Sequence, residues 1–337
     1  MDNKQKYLIL KTVQDNNILP ITSKCNLKCK FCSHFQNPPG LEVDSYGNLN
    51  FDFIKEMVDF LPKEGAVILG ESATKIIEGE PLYHPDIKKI LIYLRNSWPN
   101  KEIRITTNGS FLSEDIIKLL IELGNVKLNI SLNCANPSER KYLMEDQNGE
   151  QVFLGIKKLF EHNISYSGSI VALPHIMSWK SIEDTAIFLD KYMAETIRVF
   201  MPAFTDYSRD EMKYNLELYS ELNKFVNNLN KKIRTPVIFE PPFLNNLSAV
   251  IEGIIINSPA DNTDLNTGDI IEYVNNKKII SRVDAFSKIQ KLADPELAIR
   301  KQDDSYQKIK ILKEKNQKSG IVMHYDISPH TIEILKQ

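Results

Sequence analysis

The chain has 337 residues, of which 42% are hydrophobic and 26% are charged, and its formal net charge is −2. This composition is ordinary for a globular protein long enough for two domains, and the near-neutral charge gives no electrostatic case for a nucleic-acid or membrane partner. The polar first residues lack the apolar core of a signal peptide, no apolar stretch approaches a membrane span, and only four cysteines are present, so we expect a protein of the reducing cytoplasm.

Strand-like and helix-like segments alternate over residues 18–202. Helical patterns with one apolar face separate the strand-like runs, and Ser113 is the predicted N-cap of a helix over 116–123 that ends before Gly124. The predicted strands are 18–22, 66–69 or 74–77, 103–107, 126–132, 169–173 and 197–201. Six β–α units in series predict an α/β fold with a parallel sheet, and they are too few to close an eight-stranded barrel. We therefore expect an open, partial (β/α)6 barrel whose active site lies at the C-terminal ends of the strands.

Three of the four cysteines lie close together, directly after the first predicted strand. They are Cys25, Cys29 and Cys32, with the spacing C-x3-C-x2-C. Thiolates at this spacing can hold one iron–sulfur cluster and leave one iron with an open position. A structural zinc site is the alternative; it needs four ligands, with His34 or Cys134 as the fourth. A disulfide does not explain the motif, because it leaves one of the three cysteines unpaired.

The cysteine spacing, with Phe31 before the last cysteine, resembles the signature of the radical S-adenosylmethionine (radical SAM) superfamily. The resemblance implies a 4Fe–4S cluster on the three cysteines, with SAM bound to the open iron. It implies that an electron from the cluster cleaves SAM to a 5′-deoxyadenosyl radical, and that an external donor of the flavodoxin or ferredoxin type supplies the electron. Phe31 is a candidate for packing on the adenine ring. The sequence has no second cysteine cluster, so we expect no auxiliary iron–sulfur site.

Two further segments resemble SAM-binding motifs of this superfamily. Glu78-Gly79-Glu80-Pro81 resembles Gly-Gly-Glu-Pro, with Glu78 in place of the first glycine. The resemblance implies that Gly79 and Glu80 receive the ammonium group of SAM, which needs acceptors when it is desolvated. The alternative is a Gly-Pro turn before the next helix. The segment 106–109, which contains Asn108, resembles the Thr-Asn-Gly turn of the superfamily, and alone it is a strand-ending turn.

The ends of the next two predicted strands carry the remaining SAM candidates. Ile130-Ser131-Leu132-Asn133 resembles the Ser-Leu-Asp or Ser-Leu-Asn of the superfamily, which implies that Ser131 and Asn133 reach the ribose or the carboxylate of SAM. A polar side chain at the top of a buried strand is costly without a partner, which favours this interpretation. Val171, in the following strand, is a candidate apolar contact of the adenine.

Three side chains keep two interpretations each. Cys134 is the remaining thiol; in some radical SAM enzymes such a cysteine returns a hydrogen atom to the product radical, and the alternative is a small buried hydrophobe. Arg140 and Arg198 are candidates for the SAM carboxylate, and the alternative for each is a surface or interdomain ion pair.

The pattern changes after residue 202. A long helix is predicted over 205–232, and the prolines of 235–243 predict a linker. Beyond it, Ser258-Pro-Ala260, Leu265-x-x-Gly268-Asp269-Ile-Ile271 and Val274-Asn275 resemble a bacterial PDZ domain. The resemblance implies that a peptide C-terminus binds by β-augmentation beside a helix over 281–292. The expected glycine-rich carboxylate-binding loop is absent, so the alternative is a domain that packs on the barrel or shapes its mouth.

We therefore predict a radical SAM partial-barrel domain over 1–240 and a small, mostly-β PDZ-like domain over 244–337. The predicted function is reductive cleavage of SAM at a 4Fe–4S cluster, followed by hydrogen abstraction from an unidentified substrate. That substrate is either a peptide or protein recruited by the PDZ-like domain or a small molecule in the barrel. The alternative from another class is a non-catalytic, zinc-stabilised PDZ-type binding scaffold.

Overall fold

The computed structural model describes residues 2–32, 34, 36, 45–71, 76–215, 217–242 and 246–323. The helices of these residues are α1 (Asn3–Asn16), α2 (Phe51–Val58), α3 (Ile87–Ser97), α4 (Glu114–Leu123), α5 (Pro137–Met144), α6 (Glu150–Glu161), α7 (Pro174–Met177), α8 (Trp179–Lys191), α9 (Glu217–Leu229) and α10 (Arg282–Lys291). Short 3-10 helices lie at Pro81–Tyr83, Asp210–Met212 and Pro259–Asn262.

Strands β1 to β6 form one parallel sheet in chain order. They are β1 (Val67–Leu69), β2 (Ile103–Thr107), β3 (Val126–Ser131), β4 (Tyr166–Val171), β5 (Ile197–Phe200) and β6 (Val237–Glu240). Helices follow the strands and carry the chain back to the start of the next one, as parallel pairing requires. The C-terminal ends of the strands therefore share one edge of the sheet. The predicted α/β fold with a six-stranded parallel sheet is confirmed.

The chain divides into two compact units. One unit contains Met1–Ala194 and Pro202–Leu216, and the other contains Glu195–Met201 and Glu217–Gln337. Strands β1 to β4 belong to the first unit, and β5 and β6 belong to the second. The domain boundary that we place between 240 and 244 stays a prediction.

The two faces of β2, β3 and β4 differ in character. One face is packed by helices, so closely that a Cβ atom on Gly168 of β4 would lie 2.4 Å from Cδ1 of Leu189 in α8. The opposite face carries half-buried polar side chains, namely Arg104, Thr106, Lys127, Asn129, Ser131 and Ser169. Strands of a parallel sheet are usually apolar on both faces. The polar face therefore indicates a space that receives polar groups.

Helix α4 begins and ends where the sequence predicts. The Ser113 hydroxyl accepts a hydrogen bond from the Ile116 N–H at 3.4 Å, and Gly124 follows the last helical residue with a φ of 59°. That left-handed φ suits glycine, which has no Cβ to strain it. Both caps of this helix are confirmed.

The first predicted strand, over 18–22, is wrong as a member of the sheet. Ile18 makes a single parallel bridge to Ile68 of β1, and Thr22 makes a single antiparallel bridge to Asn48. The Leu19 N–H donates to the Ile68 carbonyl at 2.8 Å, but beyond it the Ile21 carbonyl accepts from the Leu49 N–H at 3.0 Å and the Thr22 carbonyl accepts from the Gly79 N–H at 2.8 Å. The segment therefore runs beside β1 without forming a strand.

The predicted linker over 235–243 contains the sixth strand instead. Strand β6 pairs in parallel with β5, and its inward residues Val237 and Phe239 are buried. Pro236 and Pro241 lie just outside the strand, where they remove no hydrogen bond from its interior. The prolines lie at the two ends of the strand, and the prediction of a linker at this place was wrong.

The predicted helix over 205–232 begins only at Glu217. In the preceding segment the Ser208 hydroxyl accepts from the Thr205 N–H at 2.7 Å, and the Thr205 hydroxyl donates to the Gln36 carbonyl at 2.7 Å. Bonds of this kind offer the backbone an alternative to the helix. The segment 202–215 thus has an irregular backbone with one short 3-10 helix.

The C-terminal part of the second unit is mostly β-structure. Its strands are β7 (Ala249–Val250), β8 (Gly253–Ile254), β9 (Ile270–Val274), β10 (Lys277–Lys278), β11 (Glu296–Arg300), β12 (Tyr306–Lys310) and β13 (Ile321–Val322). An antiparallel sheet has the order β10-β9-β11-β12, with β7 also beside β9, and β8 pairs with β13. A hydrophobic core including Ile271, Ile289 and Leu297 lies between this sheet and α10. Its identity as a PDZ-like domain stays a prediction.

Among the described residues, no helix combines the length and the apolar character needed to cross a bilayer.

Candidate cluster and SAM site

The cysteine loop is held by the end of α5. The Lys28 N–H donates to the Met144 carbonyl at 3.2 Å, and the Lys30 N–H donates to the Leu143 carbonyl at 2.8 Å. These are carbonyls of the last helical turn, which have no partner within the helix. The loop thereby satisfies the helix end, and the helix fixes the loop beside the C-terminal edge of the sheet.

The three thiols of this loop are a suitable donor set for an iron–sulfur cluster. Cys25 is exposed, and Cys29 and Cys32 are half-buried. Burial raises the pKa of all three thiols, so iron must displace their protons on binding. Among the residues that the structure describes, no three His, Cys, Asp or Glu side chains converge closely enough to hold a single metal ion. A cubane cluster distributes its cysteines over separate irons, whereas tetrahedral zinc requires convergence on one point.

Gly79 lies directly against the start of the cysteine loop. Its N–H donates to the Thr22 carbonyl at 2.8 Å, and the N–H of Glu80 donates to the Lys24 carbonyl at 2.9 Å. A Cβ atom on Gly79 would lie 2.0 Å from the Lys24 carbonyl oxygen. Only glycine allows this approach, so the sequence places the predicted ammonium-binding segment and the cysteine loop in backbone contact.

The Glu80 carboxylate is buried and receives three protein donors. They are the Thr107 hydroxyl at 2.6 Å, the Asn108 N–H at 2.7 Å and the Leu82 N–H at 3.1 Å. Burial outweighs these hydrogen bonds and raises the pKa of Glu80 to about 7. A carboxylate has about four acceptor sites. Three are used here, and one is left for a ligand.

Asn108 links the end of β2 to the cysteine loop. Its Nδ2 donates to Asn26 Oδ1 at 2.9 Å and lies 3.9 Å from the Cys25 sulfur. Its Oδ1 accepts from the Ser110 N–H at 2.9 Å. The predicted turn thus reaches the cysteine loop, where a contact of Asn108 with SAM stays a prediction.

Ser131, Asn133 and Val171 meet at the ends of β3 and β4. The hydroxyls of Ser169 and Ser131 are 3.4 Å apart, and both face the polar side of the sheet. Asn133 has a left-handed φ of 60°, and its Oδ1 accepts from the Val171 N–H at 2.8 Å while its Nδ2 donates to the Ser131 carbonyl at 3.3 Å. Its amide therefore ties the two strand ends together, and the Ser131 hydroxyl is the more accessible of the two predicted SAM groups.

Phe31 is half-buried in the turn between Cys29 and Cys32, where the Cys32 N–H donates to the Cys29 carbonyl at 3.1 Å. Its predicted packing on adenine stays a prediction.

Arg140 makes an ion pair, but this pair is buried within the first unit and lies neither at the surface nor between domains, where the alternative to carboxylate binding predicted it. It is buried, with Nε 2.7 Å from Asp146 Oδ2. Its terminal nitrogens donate to the carbonyls of Asn108 at 2.6 Å and Leu132 at 2.7 Å. One guanidinium therefore holds the ends of β2 and β3, and its charge opposes the rise in the pKa of Cys29 that burial causes.

Arg198, in the second unit, also makes an ion pair. Its Nε and Nη2 lie 2.6 and 2.7 Å from the two carboxylate oxygens of Glu240, so the contact is bidentate.

Cys134 lies apart from the other cysteines. It is buried, its sulfur donates to Glu139 Oε2 at 2.9 Å, and the Ser181 hydroxyl is 3.6 Å away. Burial and the neighbouring carboxylate raise the pKa of this thiol to about 11. These contacts connect α5 and α8 on the helix side of the sheet. The hydrogen-donor role of Cys134 stays a prediction, and its position between α5 and α8 does not favour that role.

Sequence reasoning missed one group of polar residues near this site. Glu71 Oε1 accepts from the Thr106 hydroxyl at 2.9 Å and from Asn129 Nδ2 at 3.1 Å. A signal was present in the sequence, because polar residues recur at alternate positions of β2 and β3 where a buried strand calls for apolar ones.

A family model and several curated relatives match the part of the chain that contains these residues. The Radical SAM superfamily model matches residues 19–189, about half of the chain. A probable GTP 3′,8-cyclase of Methanococcus maripaludis is 33% identical over 143 residues, which cover 42% of this chain and 44% of the relative. The GTP 3′,8-cyclase of Aquifex aeolicus is 32% identical over 129 residues, 37% of each chain. The chain thus spans less than half the length of these curated relatives.

The chain is also similar to solved structures, at lower identity. Streptococcus suis SuiB bound to S-adenosylmethionine is 18% identical, with a TM-score of 0.49 and coverage of 73% of this chain and 57% of that chain. The enzyme anSMEcpe with bound AdoMet is 20% identical, with a TM-score of 0.46 and coverage of 64% and 58%. The match over residues 19–189 contains all three cysteines of the loop and the Gly79-Glu80 segment. The chain belongs to the radical SAM superfamily, whose cofactors are a 4Fe–4S cluster and S-adenosylmethionine.

Proposed function

We propose that this chain uses Cys25, Cys29 and Cys32 to hold a 4Fe–4S cluster and cleaves SAM reductively, so that a hydrogen atom is abstracted from a bound substrate. The observation that carries the proposal is the backbone contact between Gly79-Glu80 and the start of the cysteine loop. This contact supports the proposal because the Glu80 carboxylate, with about one acceptor site unused, belongs to a segment that is bonded to the start of the cysteine loop. When bound, the cluster and SAM supply a 5′-deoxyadenosyl radical.

The protein's own residues position SAM and compensate charge at the site. Glu80 offers its remaining acceptor to the ammonium group of SAM, and Thr107 and Asn108 keep that carboxylate fixed. Arg140 places a buried positive charge near Cys29, which favours the deprotonated thiolate that iron needs. Ser131 provides a hydroxyl for SAM at the end of β3.

Anaerobic reconstitution tests this proposal. The loaded protein should contain iron and sulfide, and with dithionite and SAM it should release 5′-deoxyadenosine and methionine. Replacing Cys29 by alanine should abolish both the iron and the product. A colourless protein that carries one zinc and releases no 5′-deoxyadenosine would overturn the proposal in favour of the zinc-stabilised scaffold.

A flavodoxin or ferredoxin type of protein is the proposed natural electron donor. In the assay this donor protein should replace dithionite and give the same products. Cleavage of SAM without reaction of a substrate should then be slower than with dithionite. The support for such a donor is the membership of the radical SAM superfamily, because the 4Fe–4S cluster of these enzymes must receive an electron before SAM is cleaved.

Cyclisation of GTP is a second candidate reaction. The observation that favours it is the identity of about one third to the GTP 3′,8-cyclases over the matched region. Incubation with GTP, SAM and dithionite should then give a cyclised nucleotide, detected by mass spectrometry. Unchanged GTP beside released 5′-deoxyadenosine would leave the general reaction standing and exclude this substrate.

Peptide recruitment by the C-terminal region is proposed for the PDZ-like domain. Its support is the predicted PDZ pattern together with the mostly-β architecture around α10. Where a carboxylate-binding loop is expected, Arg282 is buried and its Nη1 donates to the Asn246 carbonyl at 2.6 Å. Titrating the full chain with fluorescent peptides that end in a free or an amidated C-terminus tests this role. Equal binding of both peptides contradicts carboxylate capture.

A further inference from the structure

A carboxylate from the end of β1 reaches across the polar face of the sheet. Glu71 lies two residues after β1, and its Oε1 accepts from Thr106 of β2 and from Asn129 of β3. Asn129 Nδ2 also lies 3.3 Å from the Thr106 hydroxyl oxygen. Three neighbouring strands therefore contribute to one hydrogen-bonded triad, Glu71-Thr106-Asn129.

The triad leaves two acceptors open. The hydroxyl proton of Thr106 is donated to Glu71. The contact with a carboxylate oxygen fixes the orientation of the Asn129 amide, because a carboxylate accepts and does not donate. The Glu71 and Thr106 oxygens lie too nearly in the same direction from Asn129 Nδ2 to take one proton each, so they share one N–H and the second N–H points away from them. Among the described residues, neither Glu71 Oε2 nor Asn129 Oδ1 receives a hydrogen bond within the protein.

The triad lies next to the proposed SAM site. Asn129 and Ser131 are two positions apart on the same face of β3, which is roughly 7 Å along a strand. The three side chains of the triad are half-buried. A group bound there is thus close to SAM and partly removed from water. In such surroundings a carboxylate makes its strongest hydrogen bonds to donors that carry or share positive charge.

We propose that Glu71 and Asn129 form a substrate subsite that recognises an N–H edge of the guanidine type. Such an edge presents several coplanar N–H donors, which match the two open acceptors, Glu71 Oε2 and Asn129 Oδ1. The carboxylate charge of Glu71 favours a donor edge that carries or shares positive charge. The inference rests on the proposed function and specifies the substrate chemistry of the same site.

Two sources carry this chemistry, and the experiment separates them. One is the guanine base of a nucleotide, and the other is an arginine side chain. GTP is compared with ATP, which has the same triphosphate but lacks the donor edge of guanine. N-acetyl-arginine amide is compared with N-acetyl-citrulline amide, in which a carbonyl oxygen replaces one nitrogen of the guanidinium. Affinities are measured anaerobically by calorimetry on the SAM-loaded, cluster-containing full chain.

The wild-type protein should bind GTP more tightly than ATP, or N-acetyl-arginine amide more tightly than N-acetyl-citrulline amide. Glu71→Gln should weaken that ligand by about 10- to 100-fold and remove the preference, because the new amide turns an N–H towards the donors of the ligand. Thr106→Val keeps the charge but removes the hydroxyl that orients it, and should weaken the same ligand by a smaller factor. Iron content and circular dichroism show whether each variant is folded.

Glu122→Gln is the matched control, because it makes the same chemical change at an exposed position of α4. It should leave the affinity and the preference unchanged. The subsite is wrong if the wild-type protein shows neither preference, or if Glu71→Gln and Glu122→Gln behave alike. The proposed function fails separately, since its test is the release of 5′-deoxyadenosine by the wild-type protein without any of these ligands.

Discussion

At the scale of single residues, the site depends on how closely two backbone segments approach each other. Gly79 touches the carbonyl of Lys24, and Glu80 is buried beside it. The sequence identifies both residues by their motif. It does not identify Lys24 as the neighbour that makes glycine necessary, because that contact joins residues far apart in the chain.

Gly79→Ala should damage both stability and the site. The added methyl group meets a backbone oxygen that cannot rotate away, so we expect a loss of about 2–3 kcal/mol in the free energy of unfolding. Cluster retention should fall with it, because the cysteine loop must move. Urea unfolding and iron analysis measure the two effects.

Gly149→Ala is the control for this substitution. A Cβ atom at residue 149 would have its nearest neighbour, Cδ of Arg140, at an ordinary 3.6 Å. Stability and iron content should stay near the wild-type values. A Gly79→Ala protein as stable as this control would contradict the close contact.

The pH dependence of stability reports on Glu80. Its pKa rises from an ordinary value of 4.5 to about 7 in the folded protein. An acid with a raised pKa binds its proton more tightly when folded, so its stabilising contribution is complete below pH 4.5 and is lost as the pH rises through about 7. The difference between these pKa values corresponds to roughly 3 kcal/mol.

Comparison with Glu80→Gln isolates this contribution. The iron-free wild-type protein should lose roughly 3 kcal/mol relative to the variant between pH 4.5 and pH 8, as measured by urea unfolding at each pH. Parallel pH profiles for the two proteins would show that Glu80 titrates normally.

At the scale of elements, α5 connects the sheet to the cysteine loop. Its Arg140 binds the ends of β2 and β3, and its last carbonyls receive the amides of Lys28 and Lys30. The sequence predicts the strands and the cysteine motif, because both are local patterns. It predicts neither the burial of Arg140 nor its pairing with Asp146, because polar residues of this type are usually exposed.

Arg140→Met should be strongly destabilising. It leaves Asp146 buried without its cation and removes the donors to two strand ends, so we expect a loss of about 3–5 kcal/mol in urea unfolding. Lys141→Met, the exposed neighbour in the same helix, should change stability little. Similar values for the two variants would mean that the Arg140 pair contributes no net stability.

The same limit explains the errors at other elements. The predicted strand over 18–22 was wrong because the carbonyls of Ile21 and Thr22 accept from Leu49 and Gly79 rather than from β1. The predicted linker near 240 was wrong because its prolines lie at the two ends of a strand. The Glu71-Thr106-Asn129 triad could be suspected from the polar alternation of β2 and β3. Its assembly could not be predicted, since it requires the order of three strands.

At the scale of the whole molecule, the four cysteines fall into two sets. Cys25, Cys29 and Cys32 share a loop at the C-terminal edge of the sheet, while Cys134 lies between α5 and α8. Motif spacing alone predicts the first set. Only the fold shows that Cys134 faces the helix layer.

Cys134→Ala should therefore keep the full iron content and the rate of 5′-deoxyadenosine release of the wild-type protein. Its cost should be confined to stability, at about 1 kcal/mol for the lost packing and hydrogen bonds. A variant that cleaves SAM normally but fails to complete turnover on an identified substrate would instead support the hydrogen-donor role.

The attachment of the cysteine loop to α5 also has an electrochemical consequence. Hydrogen bonds from backbone amides to cluster sulfurs are one of the factors that set the reduction potential of an iron–sulfur centre. The amides of Lys28 and Lys30 point to helix carbonyls, so neither is available to a sulfur in this conformation, while the Leu27 N–H donates to the Cys25 sulfur at 3.5 Å. We expect the loss of the first two amides to lower the potential relative to a loop in which they too bond to sulfur. A redox titration followed by electron paramagnetic resonance would measure the potential.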